Sequence, residues 1–384
     1  MPDFDALPAQ LDALEAKHRR RQRVILQSPQ SVEARIDGRD YLCFASNDYL
    51  GLANDPRLKA ALIQGVEQWG CGSGASALVT GHSAAHEALE RACAAFVQRE
   101  KALLFGDGFL ANLGVIPALC DRSDAIFADR LNHASLNDAC QLSRADFRRF
   151  HHNDLKQLRA QLKACNSHTK LIAVDAVYSM DGDEAPLADL LEIAEQNRAW
   201  LYVDDAHGFG VLNQGHGSAI GLDSPRLIYM ATLGKAAGVA GAFVAGHQQL
   251  IDWLVTRAHT AIYTTAAPPA LAVALQTALN CIEHDTIRRK TLNQHIAQLH
   301  AGCADLPWSL IPSRTPIQAL IIGDDAQTLA IARALREQGL WVPAIRPPTV
   351  PDGTARLRIS LSASHSSEHI ARLISALHQA AQAV

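Results

Sequence analysis

From about residue 85 the chain alternates between two hydrophobic periods. Helix-period runs, apolar at every third or fourth position, each lead into a short run that is apolar almost throughout. The helical patterns are "AAHEALERACAAFV", "NLGVIPALC", "ASLNDACQLS", "LKQLRAQLKAC" and "PLADLLEIAEQN". The strand patterns that follow them are "KALLFG", "DAIFAD", "FRRF", "KLIAVDAV" and "AWLYVDDAHG". This alternation predicts βαβ units and a mainly parallel sheet, an α/β fold. Two more strand patterns, "RLIYMA" and "GAFVAG", have no helix between them, which leaves that pair free to run antiparallel.

Outside this stretch the pattern changes. Phe4, Leu7, Leu11 and Leu14 fall on one helical face, followed by the basic run "KHRRRQR", Lys17 to Arg23. Cations at a helix C-terminus suit the helix dipole; recruitment of an anionic substrate is the functional alternative. "RDYLCFASNDYLGL" reads as a strand entering a turn at Asn47-Asp48, with a helix over Pro56 to Trp69 and a glycine cluster, "GCGSGAS", after it. Beyond Pro268-Pro269 two long helical patterns run to about Ala304. Strands "QALIIG", "LWVPAI" and "ARLRISLS" then alternate with helices "AQTLAIARALREQ" and "SEHIARLISALHQAA", a smaller α+β unit. The expected division is an N-terminal segment 1–45, a large α/β domain 46–285 and a small domain 286–384.

Composition narrows the function classes. With 48% hydrophobic and 19% charged residues the chain reads as a globular protein, and a formal charge of −4 gives no bulk case for nucleic acid. The start shows no basic region followed by an apolar stretch, so no secretory signal is expected. Eight cysteines without a C-x-x-C pair suit reduced thiols in a cytoplasm. Leu227 to Gly246 is nearly free of charge, but Lys235 near its middle and its four glycines argue against a membrane span.

In an open α/β sheet, ligands gather beyond the C-terminal ends of the strands. Lys235, in "TLGKAAG", lies there among small residues. "LYVDDAHG" ends a buried strand in Asp204, Asp205 and His207, with Asp204 and Asp205 on opposite faces. A metal held by Asp204 and His207 lacks a third ligand at comparable spacing, so no metal is expected. "DRLNHASL" places His133 past another strand, "VYSMDGD" places Ser179, and "ATLGK" brings Thr232. "FGDGFLAN" opens a helix at Gly108 and Phe109, whose N-terminus suits a phosphate. An amine, a carboxylate, two imidazoles, hydroxyls and a helix N-terminus on one rim fit pyridoxal phosphate.

The ordered set "SNDYLGL", "DRLNHASL", "SMDGD", "VDDAHGFG" and "TLGK" resembles the α-oxoamine synthases, pyridoxal-phosphate enzymes of the aspartate-aminotransferase fold, fold type I. That family joins an amino acid to an acyl thioester with loss of CO2. The likeness runs from about Leu42 to Leu361. It implies Lys235 as the Schiff-base lysine and proton shuttle, Asp204 at the pyridine nitrogen, His207 at the ring hydroxyl and His133 stacked on the ring. It implies Gly108, Phe109, Ser179 and Thr232 around the cofactor, mostly near its phosphate. Arg21, Asn47, His133, Thr349 and Arg358 would meet the substrates. "AIRPPTVPDGTARLRI" is nearest to the members that use L-alanine and a pimeloyl thioester, on coenzyme A or acyl carrier protein, in biotin synthesis. Members of the family place the site at a homodimer interface, where "GCGSGAS" and "YTTAAPP" would serve the neighbouring subunit. One departure is Ala75, where the family often has a second glycine. The rivals are a glycine-using member of the family, a nucleotide-binding α/β oxidoreductase, and a non-catalytic pyridoxal-phosphate binder.

Overall fold

The alternation folds as helix–strand pairs around one sheet. The computed structural model describes residues 3–16, 20 and 23–383. The chain begins with helix α1 (Leu7–Ala16), strands β1 (Glu33–Ile36) and β2 (Arg39–Cys43), and helices α2 (Pro56–Trp69) and α3 (Ala84–Phe96). The core follows as β3 (Lys101–Phe105), α4 (Gly108–Leu119), β4 (Ala125–Asp129), α5 (Ala134–Ser143), β5 (Asp146–Phe150), α6 (Leu155–Lys163), β6 (Lys170–Asp175), α7 (Leu187–Gln196) and β7 (Trp200–Asp204). Next come β8 (Leu227–Thr232), β9 (Ala242–Gly246), α8 (Gln248–Arg257), α9 (His259–Ile262), α10 (Pro269–His284) and α11 (Thr286–Gly302). The chain closes with β10 (Ser309–Leu310), β11 (Ile317–Gly323), α12 (Asp325–Glu337), β12 (Leu340–Trp341), β13 (Ala344–Ile345), β14 (Ala355–Ser360) and α13 (Ser367–Ala383).

The central sheet has seven strands in the order β3-β9-β8-β7-β6-β4-β5. β5, β4, β6, β7 and β8 run parallel, while β9 is antiparallel to both β8 and β3. The period of two divides the strands between two cores. Phe127, Ile172, Val174, Val203 and Tyr229 pack on one face. Ile126, Ala128, Ala173, Tyr202 and Met230 pack on the other. A sheet covered by helices on both sides buries both faces of its strands, which explains the near-continuous apolar runs.

Local signals set the helix ends. Asp55 caps α2 by accepting from the Arg57 amide, Pro56 opens it, and Gly70 leaves it at φ 77°. Asp107 caps α4 through the Leu110 amide. The apolar face of α1 forms as expected, yet none of its residues is buried in this chain.

Two differences from the sequence expectation concern the ends of the chain. "LWVPAI" is not one strand. β12 pairs in parallel with β2, and β13 pairs antiparallel with β14. Pro343 lies between the two pieces and offers no N–H to a ladder. The sheet β1-β2-β12 therefore joins the N-terminal segment to the tail, while β10-β11-β14-β13 forms a separate antiparallel sheet. No helix among the described residues is long and apolar enough to cross a membrane.

Candidate active site

β6, β7 and β8 end side by side, and their ends supply the charged groups. Asp175 closes β6 and lies in register with Asp204, the last residue of β7. Both carboxylates are buried. Asp204 Oδ2 accepts from Asn112 Nδ2 at 2.9 Å and its Oδ1 accepts from the Ala206 amide at 3.1 Å. Asn112 in turn accepts from the Tyr202 hydroxyl at 2.6 Å and donates to Ser135 Oγ at 2.9 Å. Asp205 faces the other way. It accepts from Tyr229 Oη at 2.7 Å and from the Ser218 amide and hydroxyl at 2.7 and 2.6 Å. Burial pushes Asp205 up to about 6 despite these donors.

Lys235 lies in the turn between β8 and β9. Its Nζ is 2.9 Å from His207 Nε2. Burial of the amine pulls its pKa down to about 8, against the opposing pull of Asp204 and Asp175. His207 is buried, and burial first, then the nearby Lys235 and Arg358 cations, hold its pKa well below the ordinary histidine value. Its Nδ1 lies 2.7 Å from the Tyr49 hydroxyl, which donates to Asn47 Oδ1 at 3.1 Å. Arg358, on β14, donates from Nη2 to the same Asn47 oxygen at 3.3 Å. It also donates from Nη1 to Ser360 Oγ at 2.9 Å and from Nε to the Ser179 carbonyl at 2.5 Å. These bonds join Lys235, His207, Asn47, Ser179 and Arg358 in one cluster, with Tyr49 as the link.

His133 caps α5. Its amide donates to Asp175 Oδ2 at 2.9 Å, and its Nδ1 lies 2.7 Å from Ser135 Oγ. Desolvation lowers its pKa, and Asp204 opposes the shift. Gly108 and Phe109 open α4, where the first amides of a helix lack intrahelical partners. A Cβ on Gly108 would stand 3.7 Å from Thr232 Cβ, which places this helix start against the end of β8. Thr232 Oγ1 donates to the Gly241 carbonyl at 3.1 Å and accepts from the Gly234 amide at 3.3 Å. Thr349 lies apart from this bonded set, in an exposed turn held by its own amide to the Arg346 carbonyl. Arg21 lies outside the described residues.

The donor set fits an anionic aromatic aldehyde. It has an amine of reduced basicity, a buried carboxylate on the neighbouring strand, a neutral imidazole and an outward-facing helix N-terminus. Asp175 Oδ1 is buried without a partner among the described residues, beside this cluster. A metal suits the site poorly. Both ring nitrogens of His207 have neighbours, and both Asp204 oxygens accept from protein donors. The segments "GCGSGAS" and "YTTAAPP" also lie together. Ser76 bridges Thr265, the Ala266 amide donates to the Ala75 carbonyl at 3.0 Å, and Ser73 Oγ donates to the Ala267 carbonyl at 2.5 Å. Ala75 does not take a positive φ, so its methyl is compatible with the loop.

Sequence reasoning missed Tyr49, Asn112, Tyr202 and Asp175. Asn112 had a signal, as the lone amide in the apolar helix "GFLANLGVIPAL". Tyr202 had another, two residues before Asp204 and so on the same face of its strand.

The profile of the family described as aminotransferase class I and II matches residues 39–377. An 8-amino-7-oxononanoate synthase of Chromobacterium violaceum is 59% identical over 366 residues, 95% of each chain. One of Aromatoleum aromaticum is 56% identical over 379 residues, 98% of each chain. Among solved structures, SPT with PLP, a serine palmitoyltransferase, superposes with a TM-score of 0.93 at 29% identity, covering 99% of this chain and 98% of that one.

Proposed function

This chain belongs to the aminotransferase class I and II family, and we infer that it catalyses the reaction of its 8-amino-7-oxononanoate synthase relatives. L-alanine condenses with a pimeloyl thioester, on coenzyme A or an acyl carrier protein, and CO2 and the thiol leave. The product is 8-amino-7-oxononanoate, an intermediate of biotin synthesis in the cytoplasm. The fold is the pyridoxal-phosphate fold type I. The observation that carries the reading is the desolvated Lys235 amine, 2.9 Å from His207 Nε2 and in the field of the Asp204 carboxylate, in a chain whose relatives carry the name of this activity.

Pyridoxal phosphate supplies an electron-accepting ring that stabilises negative charge at the substrate Cα. The chain's residues divide the remaining tasks. Lys235 would hold the cofactor at its aldehyde carbon, and its free amine would take the substrate Cα proton on Nζ. At about 8, its amine has a sizeable neutral fraction near neutral pH, which an ordinary lysine at 10.5 lacks. Asp204, oriented by Asn112 and the Ala206 amide, would keep the pyridine nitrogen protonated. His207 would bind the ring hydroxyl, and His133 would hold the ring. The amides of Gly108 and Phe109 would take the phosphate, with the Ser179 and Thr232 hydroxyls. Arg358 and Asn47 receive the alanine carboxylate. Three of the five donors of a guanidinium are engaged in the bonds of Arg358, which leaves N–H groups for the substrate. Thr349, apart from this bonded core, would meet the acyl donor, and Arg21 is assigned the same task. We assign residues 46–285 to the cofactor-binding domain, with Arg358 brought to it by the small domain. We further propose a homodimer in which the loops at 70–76 and 263–269 face the neighbouring site.

The test is the visible spectrum of the purified protein with and without L-alanine, followed by a pimeloyl thioester and a product assay. A yellow cofactor, a spectral change on L-alanine, and borohydride-fixed pyridoxyl on Lys235 by mass spectrometry are expected. Turnover with glycine and an acetyl or succinyl thioester instead would move the chain to a glycine-using relative. No cofactor absorbance at all would return it to the oxidoreductase class. Lys235→Ala keeps the fold and abolishes turnover; normal turnover in that variant ends this mechanism.

A further inference from the structure

Tyr49 is fully buried in the middle of "SNDYLGL", and the reaction described above gives it no task. Its hydroxyl sits between the residues that receive the substrate carboxylate and the imidazole that faces Lys235. Burial raises its pKa to about 12, with Arg358 opposing as a nearby cation and donor, so it stays a neutral phenol with one proton to give.

The two cations at the ends of this chain of bonds, Arg358 and Lys235, set the protons between them. Asn47 Oδ1 accepts from Arg358 Nη2, and a guanidinium only donates, so this atom of Asn47 is its oxygen. The Tyr49 hydroxyl donates to the same oxygen at 3.1 Å. At the other end, the Lys235 ammonium can only donate, so His207 Nε2, 2.9 Å away, accepts from it, and toward His207 Nδ1, 2.7 Å away, the Tyr49 oxygen then accepts and keeps its own proton for Asn47. His207 is kept neutral by burial and by the surrounding cations, so it has one N–H, and that N–H must lie on Nδ1. Nε2 is left bare, 2.9 Å from Lys235 Nζ, where it accepts from the ammonium. The opposite tautomer would set an N–H of His207 against the ammonium and leave Nδ1 to be served by Tyr49 alone.

We propose that Tyr49 is a positioning residue, whose hydroxyl, held by Asn47, fixes His207 with its proton on Nδ1 and a bare Nε2 turned to Lys235. Tyr49 acts through His207 on the basicity of Lys235, and it ties that basicity to the arginine that receives the substrate. The link to catalysis rests on the assignment of Lys235 above; the tautomer itself does not.

The experiment reads the tautomer and the amine directly, on the full-length chain freed of pyridoxal phosphate. Long-range 15N–1H spectra report which ring nitrogen carries the proton, with the His207 signals identified by their loss in His207→Asn. The unsubstituted chain should show the Nδ1–H form. In Tyr49→Phe the buried Nδ1–H loses its acceptor, so His207 should shift toward the Nε2–H form. The pH midpoint for labelling Lys235 with an amine reagent, read by mass spectrometry, should fall by about one unit as the ammonium loses its acceptor. Asp204, Asp175, Asp205, Arg358 and His133 also act on this amine and remain in place in the variant. A second variant, Asn47→Leu, keeps the Tyr49 ring and frees its proton to turn toward Nδ1, so it should produce the same shift. An Nε2–H signal in the unsubstituted chain overturns the proposal, whether or not either variant folds. So does an unchanged tautomer and labelling midpoint in both variants. Failure of borohydride to fix pyridoxal on Lys235 would sink the assigned reaction while leaving the tautomer result standing.

Discussion

Asn112 carries more of the site than its apolar helix suggests. It is fully buried and bonded to Asp204, Ser135 and Tyr202. Asn112→Leu removes one partner from each of these groups. Unpairing buried polar groups costs about 1–3 kcal/mol for each neutral one and more for a charged one, so a stability loss of about 2–5 kcal/mol is expected in urea unfolding. Asp204→Asn is a cleaner probe, because an amide keeps the shape and removes the charge. Turnover should fall by about 10²–10³, while cofactor affinity, read by absorbance titration, falls far less. An unchanged rate would remove Asp204 from the pyridine nitrogen. Asp204 was legible because a buried strand ending in carboxylates needs an explanation. Tyr49 was not, because a tyrosine among apolar neighbours reads as core until its hydroxyl is placed.

At the scale of elements, His152 clamps the end of β4 to the turn that carries Ser179. Its Nδ1 lies 3.2 Å from Asp129 Oδ1 and its Nε2 2.6 Å from Asp183 Oδ2, with its ring edge-on to Tyr178. Burial lowers its pKa, but the hydrogen bonds and charges of Asp129 and Asp183 outweigh this and hold it at about 9. The folded value lies above the ordinary 6.5, so the protonated ring stabilises the fold fully below pH 6.5. That contribution fades as the pH rises through about 9. The displacement corresponds to about 3 kcal/mol at most, counted once for the histidine and its carboxylates. The stability difference between the unsubstituted chain and His152→Gln should therefore be largest at pH 6 and shrink toward zero near pH 10, by urea unfolding. A difference that grows with pH would mean the ring is neutral in the folded state. The helix–strand alternation was legible at this scale because hydrophobic period is a local property. The division of "LWVPAI" between two sheets was not, because β12 takes its partner from β2, and only tertiary pairing decides between one strand and two.

At the scale of the molecule, the question is what covers the paired segments at 70–81 and 263–269. Residues 77–81 form a π-helical turn in which Leu78 and Val79 are exposed, Val79 at 72%, and Tyr263, two residues before Thr265, which bridges Ser76, is 77% exposed. Exposed apolar side chains of this size around well-ordered backbone bonds are expected where a second copy of the chain packs. The family resemblance implied that segments 70–76 and 263–269 serve a neighbouring subunit, but the hydrophobic pattern did not show which exposed side chains a second copy would cover. Val79→Glu tests the homodimer with little effect on the subunit itself, because an exposed side chain has few contacts of its own to lose. In the dimer the carboxylate would be buried without a cation, a penalty of several kcal/mol that opposes association. Sedimentation velocity should give a dimer for the unsubstituted chain at micromolar concentration and a monomer for the variant. Turnover should fall with the dimer and recover in part as protein concentration is raised, since the completed site returns with association. A monomeric unsubstituted chain with full turnover would place every residue needed for the chemistry within one subunit.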